Sequence, residues 1–437
     1  MGITQKRYED AKRIISGSCG LLSKKPECYA ANHWPAYHKV AKGCEVWDLD
    51  DKHYYDMTSN GIGACLLGFA NDVVVDAVTN RIKNGSMCTL NPIEEVELAE
   101  RLLDIHPWAD QVRYARGGGE IASMAIRIAR ATTGKDVVAV CGYHGWADFY
   151  VAANLGETPE QDGHVLSGCS QVGVPEGLRG TTVVFNFDNF EEFDNVISRY
   201  GDRLACVIIE TARSSDPAPG FMEHIRKETK RVGAIMILDE ITIGWRNNFG
   251  GYHLKLGIVP DMAIYGKALG NGHPISAVVG TKEAMSGATK AFISSTFWTE
   301  GVGPTAALAT LAEMERLKIW EYLWKPGQRA TDIWSKLGEK YNLPLRAGYS
   351  FPTLNHFEFT EFSGELKTLF NILMLDQGFL TQVTYYPTMA HTDEVMDKYE
   401  AAVDKVFMQL GEIIKKGDVK NALQDPVCLS DFQRLVK

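Results

Sequence analysis

The sequence predicts an α/β protein whose main body is a mostly parallel, seven-stranded sheet with helices on both faces. Two observations carry this prediction. Between residues 112 and 279, seven short apolar runs of strand length recur along the chain. Segments with helical periodicity, near residues 119–133, 189–199 and 220–232, separate several of these runs. Such alternation is typical of parallel strands joined by crossover helices.

The composition is that of an ordinary globular chain. Of the 437 residues, 45% are hydrophobic and 23% are charged, which excludes a disordered or collagen-like protein. The net charge of −10 argues against nucleic acid or an anionic membrane as a partner. No apolar run approaches the ~20 residues of a membrane span. Nine cysteines without a Cys-x-x-Cys pair indicate reduced thiols and no metal site, so we expect a cytoplasmic protein.

The chain before the sheet predicts a helix and a hairpin. Residues 4–16 have an amphipathic helical pattern. Residues 45–50 and 53–57 form two short runs around the turn pair Asp50-Asp51, which is typical of a β-hairpin. Two further helices are predicted near residues 72–84 and 93–105.

The sheet and the C-terminal region follow in order. The seven predicted strands are Val112–Ala115, Val137–Cys141, Thr182–Phe185, Ala205–Ile209, Ile235–Leu238, Met262–Tyr265 and Ser276–Val279. A long helix begins near Pro304. Beyond it we predict a strand at Thr353–Phe359 and helices near 364–377 and 394–415. We expect a large domain over residues 66–318 and a smaller α+β domain, which combines residues 1–65 and 319–437.

One predicted strand ends in an acidic pair. Ile235–Leu238 is followed by Asp239-Glu240, and open α/β sheets place their ligand sites at the carboxyl ends of strands. A carboxylate there can bind Mg²⁺, bind a ribose, pair with a heterocyclic nitrogen, or only cap the next turn. Asp239 is therefore a candidate site residue whose partner stays open at this point.

A second strand runs directly into a lysine. Met262–Tyr265 precedes Gly266-Lys267, and further glycines follow. A lysine held among small residues and partly desolvated can act as an amine nucleophile and form a Schiff base. The spacing of a phosphate-loop lysine, G-x-x-x-x-G-K-[ST], is absent. The alternative for Lys267 is an ordinary surface lysine.

Two more turns complete the set of candidates. Gly117-Gly118-Gly119 lies between a strand and a helix, where backbone N–H groups can bind an anion. The segment Cys141–Trp146 places Tyr143 and His144 after another strand, with ordinary packing as the alternative. An anion site, a flat aromatic, a carboxylate and a reactive lysine together fit pyridoxal phosphate better than any other cofactor.

These motifs resemble those of the class III aminotransferases of fold type I. The resemblance rests on Asp239-Glu240-Ile241, Gly266-Lys267, the Gly-Gly-Glu turn and Tyr143-His144-Gly145, and it extends from Trp47 to about residue 315. Within this family the chain is similar to the branch that contains glutamate-1-semialdehyde aminomutase. It is most similar there to aminotransferases of sugar, polyketide and capsule pathways.

The resemblance implies a role for each matching residue. Lys267 would carry the cofactor as a Schiff base and move the proton, and Asp239 would pair with the pyridinium nitrogen. The other implied cofactor contacts are Gly118 and Gly119 at the phosphate, Tyr143 and Ile241 on the two ring faces, Glu210 near the 3-hydroxyl group, and Thr299 at the phosphate of the neighbouring subunit. The assignment of Thr299 implies a homodimer with shared active sites.

The chain departs from the family pattern at several positions. Gly117 replaces a serine or threonine of the phosphate turn, so backbone donors must bind more of the phosphate. Thr211 follows Glu210 where proline is usual, Ile241 replaces a common valine, and Gly301-Val302 stands where an arginine-bearing stretch is expected. These departures leave the lysine and the aspartate in place and affect the substrate pocket.

The implied activity is transfer of an amino group from a donor such as glutamate to a ketone or aldehyde acceptor. Arg213 and Arg246 are candidates for binding a substrate carboxylate, with ordinary ion pairs as the alternative. An intramolecular aminomutase or an amino-acid racemase would use the same lysine. A regulatory protein that only binds the cofactor is disfavoured, because Lys267 and Asp239 are both present. The sequence does not identify the acceptor.

Overall fold

The computed structural model describes residues 2–156, 166 and 168–429. The chain divides into two compact units. Of the described residues, 72–318 belong to the larger unit, and the smaller unit combines residues 2–71 with residues 319–429. Among the described residues, no helix has both the length and the apolar character needed to cross a membrane.

The elements are as follows. In chain order the strands are β1 (His38–Lys42), β2 (Glu45–Asp48), β3 (His53–Met57), β4 (Gln111–Ala115), β5 (Val137–Cys141), β6 (Thr182–Val184), β7 (Leu204–Glu210), β8 (Ile235–Asp239), β9 (Met262–Tyr265), β10 (Ser276–Gly280), β11 (Leu345–Ala347), β12 (Asn355–Phe359), β13 (Phe379–Thr381) and β14 (Thr384–Tyr385). The α-helices are α1 (Ile3–Ile14), α2 (Asp72–Lys83), α3 (Glu94–Ile105), α4 (Gly118–Thr133), α5 (Asp148–Val151), α6 (Phe190–Tyr200), α7 (Phe221–Val232), α8 (Tyr252–Leu256), α9 (Val302–Leu317), α10 (Ile319–Tyr322), α11 (Trp324–Lys340), α12 (Ser363–Asp376), α13 (Asp393–Lys415) and α14 (Val419–Ala422). Short 3₁₀ helices lie at Leu22–Lys24, Pro26–Cys28, Ala152–Leu155, Glu176–Leu178, Lys267–Gly270, Ala284–Thr289, Thr296–Thr299 and Pro352–Leu354.

The larger unit is built on a seven-stranded sheet with the strand order β4-β10-β9-β8-β7-β5-β6. Strand β10 runs antiparallel to both of its neighbours, and the other paired strands are parallel. Every residue of β5, β7, β8, β9 and β10 is buried, which explains why these strands read as continuous apolar runs. The predicted mostly parallel α/β architecture is confirmed.

The register of the parallel strands sets up the site. Cys141 pairs with Ile209, Glu210 pairs with Asp239, and Asp239 pairs with Ile264. The carboxyl ends of four neighbouring strands therefore lie side by side. The segments that follow these strands must meet at the same edge of the sheet, which is where open α/β sheets bind ligands.

The smaller unit contains two small sheets. One has the order β1-β2-β3-β13, in which β13 pairs with β3 in parallel and so joins the C-terminal part of the chain to the predicted hairpin. The other is antiparallel and has the order β11-β12-β14. The hydrophobic core of the smaller unit includes Trp334, Phe357 and Tyr399. The indole N–H of Trp334 donates to the Tyr399 hydroxyl at 2.9 Å.

Candidate active site

Lys267 lies two residues after the end of β9 and begins a 3₁₀ helix. Its φ of 44° lies in the left-handed region, which is uncommon for a residue with a side chain. Its Nζ donates to Thr242 Oγ1 at 2.8 Å. Burial lowers the pKa of Lys267 to about 8, and the neighbouring guanidinium of Arg246 acts in the same direction. The amine therefore loses its proton closer to neutral pH than an ordinary lysine, as a nucleophile requires.

Asp239 and His144 form a buried, hydrogen-bonded pair. Asp239 Oδ2 lies 2.8 Å from His144 Nδ1, and Asp239 Oδ1 accepts from the backbone N–H of Ile241 at 2.9 Å. His144 Nε2 lies 3.0 Å from the carbonyl oxygen of Cys141, which can only accept, so this nitrogen carries a proton. The hydrogen bond from His144 and the one from Ile241 reach different oxygens of Asp239, so together they fix the orientation of the carboxylate.

Glu210 ends β7 and is also buried. Its Oε2 accepts from the backbone N–H of Tyr143 at 3.2 Å and from Arg213 Nη1 at 2.7 Å. A Cβ on Gly142 would lie 2.5 Å from the same oxygen, and Gly142 has a φ of 104°. Only glycine fits there. Gly142 thus leaves room for the carboxylate beside the Tyr143 segment.

The glycine turn lies at the start of α4. Glu120 Oε2 accepts from the backbone N–H groups of Arg116 and Gly117 at 2.9 and 3.0 Å. The N–H groups of Gly118 and Gly119 belong to the first turn of the helix, where no intrahelical acceptor exists. A Cβ on Gly119 would lie 3.3 Å from Trp146 Nε1, so a side chain at position 119 would press against the indole ring. Helix N-termini of this kind bind phosphate.

Ile241 connects the glycine turn with the lysine. A Cβ on Gly118 would lie 3.3 Å from Ile241 Cδ1, and one on Gly266 would lie 3.7 Å from Ile241 Cγ1 and Cγ2. The side chain of Ile241 therefore packs against both the glycine turn and the residue before Lys267. Since the backbone N–H group of Ile241 also binds Asp239, the three predicted parts of the site lie around one residue.

Thr299 lies outside this cluster. It is exposed at the end of the 3₁₀ helix Thr296–Thr299, and its hydroxyl donates to the carbonyl of Thr296 at 3.0 Å. The next residue, Glu300, forms an ion pair with Arg116 in which Nε and Oε1 are 2.9 Å apart. Glu300 also accepts from the N–H group of Val302 at 2.6 Å. The Thr299 segment is thus tied to the glycine turn of the same subunit.

The two predicted carboxylate-binding arginines differ in exposure. Arg213 is partly exposed and pairs with Glu210, whereas Arg246 is fully buried. Arg246 Nε donates to the carbonyl of Thr242 at 2.7 Å. Arg246 therefore presents no surface to a substrate, and its burial argues against the predicted contact with a substrate carboxylate. Arg213 stays a candidate.

The donor set fits pyridoxal 5′-phosphate. An amine of lowered pKa suits an aldehyde, a fixed carboxylate suits a pyridine nitrogen, and a glycine-lined helix N-terminus suits a phosphate. The family model described as "Aminotransferase class-III" matches residues 28–346. The chain belongs to this family. The predicted family, enzyme class and cofactor are confirmed.

Three curated relatives span most of this class III aminotransferase. The 3-aminobutyryl-CoA aminotransferase of Cloacimonas acidaminovorans is 29% identical and covers 77% of the chain and 79% of that relative. The 2′-deamino-2′-hydroxyneamine transaminase of Streptomyces kanamyceticus is 29% identical, with 85% and 91% covered. The glutamate-1-semialdehyde 2,1-aminomutase of Methanocaldococcus jannaschii is 28% identical, with 93% and 98% covered.

Solved structures support the same fold. The FumI protein of Sphingopyxis sp. MTA144 superposes with a TM-score of 0.85 at 22% identity, covering 95% of this chain and 98% of that one. An omega-transaminase from Sphaerobacter thermophilus gives 0.81 at 22% identity, covering 94% and 98%. At this identity the likeness establishes the fold, which confirms the predicted fold type I architecture.

Sequence reasoning missed two features of this aminotransferase. The motif that contains His144 was noticed, but its contact with Asp239 joins residues 95 positions apart. The contact of Thr242 with Lys267 joins residues 25 positions apart on two different strand ends. Neither contact follows from spacing along the chain. To predict these two contacts, one must know the strand order and the register of the sheet.

Proposed function

We propose that this class III aminotransferase moves an amino group from L-glutamate to a ketone or aldehyde in a cytoplasmic biosynthetic pathway. One observation carries the proposal: the Lys267 amine, with its lowered pKa, lies beside the turn that holds Asp239. The relative from Streptomyces kanamyceticus supports it, because its name specifies a transaminase that acts on 2′-deamino-2′-hydroxyneamine.

Bound pyridoxal phosphate supplies a ring that accepts electrons from the reacting carbon. Lys267 holds the cofactor through Nζ and, when this amine is free, accepts and returns a proton there. Asp239, oriented by His144, keeps the proton on the ring nitrogen. The backbone donors of Gly118 and Gly119 bind the phosphate. The remaining proposed contacts orient the ring: Tyr143, Glu210 and Ile241.

Arg213 is the proposed contact for the donor carboxylate. Its side chain is 15% exposed, and its Nη1 lies 2.7 Å from Glu210 Oε2. An arriving carboxylate can share this guanidinium, since arginine offers several N–H donors in one plane. The positive charge thus remains paired whether or not the donor is bound.

Intramolecular amino transfer is a second candidate function. Several relatives that cover 92% to 94% of the chain are glutamate-1-semialdehyde 2,1-aminomutases. An aminomutase would use the same Lys267 and Asp239 without a separate donor, and a racemase would do so as well. The fate of the donor amino group separates these functions.

We expect the holoenzyme to react with L-glutamate alone. The cofactor should be converted to its pyridoxamine form with release of about one 2-oxoglutarate per site, measured by absorbance and mass spectrometry. Lys267→Ala, treated in the same way, is the control. Exchange of the α-proton with solvent without 2-oxoglutarate would indicate a racemase. Conversion of glutamate-1-semialdehyde, with no response to glutamate, would indicate an aminomutase.

We also propose that the enzyme is a homodimer with shared sites. The large apolar side chains exposed on the larger unit include three aromatic ones: Trp146 by 79%, Phe292 by 85% and Phe297 by 67%. Two neighbouring grooves share Ile293 and Trp298, and one of them reaches Thr299. A soluble monomer rarely exposes an apolar surface of this kind. A second copy of the chain would cover it and bring its own Thr299 near this surface.

A complementation experiment tests the shared site. Thr299→Ala should lower cofactor affinity roughly ten- to hundredfold, because a hydrogen bond to a charged oxygen is lost. To reach the partner's phosphate, the hydroxyl exchanges its present acceptor, the Thr296 carbonyl. In a heterodimer of Thr299→Ala with Lys267→Ala, one site carries both defects and the other carries neither.

Equal mixing after dissociation should therefore restore about one quarter of the wild-type sites, since half of the dimers are mixed and each has one intact site. Activity is measured at limiting cofactor, with Thr299→Ser as the matched control that keeps the hydroxyl. No recovery in the mixture, or full activity in a species that sediments as a monomer, would contradict the proposal.

A further inference from the structure

The turn after β8 contacts both Asp239 and Lys267 of the proposed site. The carbonyl of Glu240 accepts from the N–H group of Gly244 at 2.8 Å, and the carbonyl of Thr242 accepts from Arg246 Nε at 2.7 Å. Within this turn, the N–H group of Ile241 binds Asp239 and the hydroxyl of Thr242 binds Lys267. The turn is thus held by its own hydrogen bonds and contacts both the carboxylate and the amine.

The contact at Lys267 involves the reacting nitrogen itself. Thr242 Oγ1 lies 2.8 Å from Nζ, the atom that the proposed function uses both to hold the cofactor and to carry the proton. Thr242 is half-buried, and its backbone is fixed by the buried Arg246. The hydroxyl is therefore a preformed acceptor for the amine of Lys267.

We propose that Thr242 is a positioning residue, which docks the free amine of Lys267 and keeps it within reach of the substrate carbon. This inference rests on the proposed function of Lys267. A free lysine side chain has four rotatable bonds and carries about 2 kcal/mol of rotamer entropy. Proton transfer needs reacting atoms about 3–3.5 Å apart, so an amine without a docking point would spend little time in that geometry.

The charges around the amine explain why a neutral hydroxyl suits this position. The guanidinium groups of Arg246 and Arg213 favour the neutral amine, and the carboxylates of Glu210 and Asp239 favour the ammonium form. The two pairs of charges thus have opposite effects on the pKa of Lys267. A further carboxylate would raise the pKa of Lys267, whereas a hydroxyl accepts a hydrogen bond without adding charge.

Two variants test the role of this hydroxyl. Thr242→Val keeps the shape and removes the hydroxyl, and Thr242→Ser keeps the hydroxyl. Thr310→Val is the matched control, since it removes a buried hydroxyl elsewhere in the larger unit. The first measurement is the single-turnover reaction of the full-length holoenzyme with glutamate carrying protium or deuterium at the α-carbon. Cofactor affinity is measured in parallel by fluorescence.

We expect Thr242→Val to slow single turnover about tenfold or more and to increase the isotope effect, because misplacement of a reacting group by about 1 Å is costly. Cofactor affinity should change less than about twofold, since no phosphate or ring contact is lost. Thr242→Ser should recover most of the rate, and Thr310→Val should match the wild type. A rate for Thr242→Val within about twofold of the wild type would contradict the proposal.

The second measurement does not depend on turnover. In the full-length enzyme loaded with pyridoxamine 5′-phosphate, pulse acetylation at varied pH, mapped by peptide mass spectrometry, reports the titration of Lys267. An ammonium is a stronger hydrogen-bond donor than an amine, so the Thr242 hydroxyl stabilises the ammonium form of Lys267. Loss of this acceptor in Thr242→Val should therefore lower the titration midpoint by about one pH unit, whereas Thr242→Ser should leave the midpoint unchanged. An unchanged midpoint in Thr242→Val would overturn the inference.

The outcomes of the two proposals are distinguishable. If glutamate fails to react but the titration midpoint shifts, then Thr242 docks the amine and only the proposed donor is wrong. If the wild type reacts normally and Thr242→Val changes neither rate nor midpoint, the proposed function stands and the docking role is rejected.

Discussion

Replacing Lys267 with alanine should abolish turnover while leaving the fold intact. The substitution removes the amine that holds the cofactor and carries the proton, and general acid–base catalysis alone contributes about 10²- to 10⁴-fold. The protein should still bind pyridoxamine 5′-phosphate, because the glycine turn and Asp239 remain. Single-turnover absorbance measures the loss, and thermal unfolding with and without pyridoxamine 5′-phosphate measures folding and binding.

Two controls and one chemical test complete this prediction. Lys267→Arg keeps a positive charge without a nucleophile and should be as inactive as the alanine variant. Lys255→Ala removes an exposed lysine that lies over the ring of Tyr252 and should be fully active. Borohydride reduction of the wild-type holoenzyme should fix the cofactor to the peptide that contains Lys267. An adduct on another lysine, with turnover retained in Lys267→Ala, would reject the assignment.

The sheet of the larger unit was predictable because burial on both faces leaves a clear sequence signal. All seven predicted runs form strands, and their ends differ from the observed ones by no more than one residue. The candidates Asp239 and Lys267 were found for a related reason. Residues that directly follow parallel strands meet at one sheet edge, so position relative to a strand end is enough to bring them together.

Parts of the smaller unit were not predictable in the same way. Helix α11 was missed, because Pro326 and Gly327 read as a break in the pattern. Proline is tolerated here in the first helical turn. A Cβ on Gly327 would lie 2.0 Å from the carbonyl oxygen of Pro352. Glycine is a poor helix former, but here it allows the segment around Pro352 to pack closely against the helix. Strand β1 was also missed; its side chains are mostly exposed, which removes the alternating pattern.

The role of Arg246 depends on tertiary structure. From the sequence, Arg213 and Arg246 were equivalent candidates for binding a substrate. Only the conformation of the turn after β8 makes Arg246 a buried support for Thr242 and leaves Arg213 partly exposed. Burial of a charged side chain is rare, so an arginine is expected at the surface until the structure shows otherwise.

Asp239→Asn should lower the rate of α-proton removal roughly ten- to thousandfold with the cofactor still bound. An opposite charge close to a titrating group typically shifts its pKa by about 1–3 units, and the amide removes that charge from the ring nitrogen. Asparagine keeps the size of the side chain, and its amide oxygen can still accept from the N–H group of Ile241. Its NH2 group then faces His144 Nδ1 and can donate to this nitrogen when the imidazole is neutral with its proton on Nε2. The geometry should therefore persist while the electrostatic effect is lost.

The measurement is single turnover with glutamate deuterated at the α-carbon, together with cofactor affinity by fluorescence. Asp216→Asn is the matched control, because Asp216 binds the Tyr252 hydroxyl outside the proposed cofactor contacts. Reconstitution of Asp239→Asn with a cofactor methylated at the ring nitrogen supplies a permanent positive charge there. If Asp239 acts by keeping that nitrogen charged, the methylated cofactor should recover part of the rate in the variant and give no gain in the wild type. A near-wild-type rate for Asp239→Asn with the ordinary cofactor would show that the carboxylate has no such role.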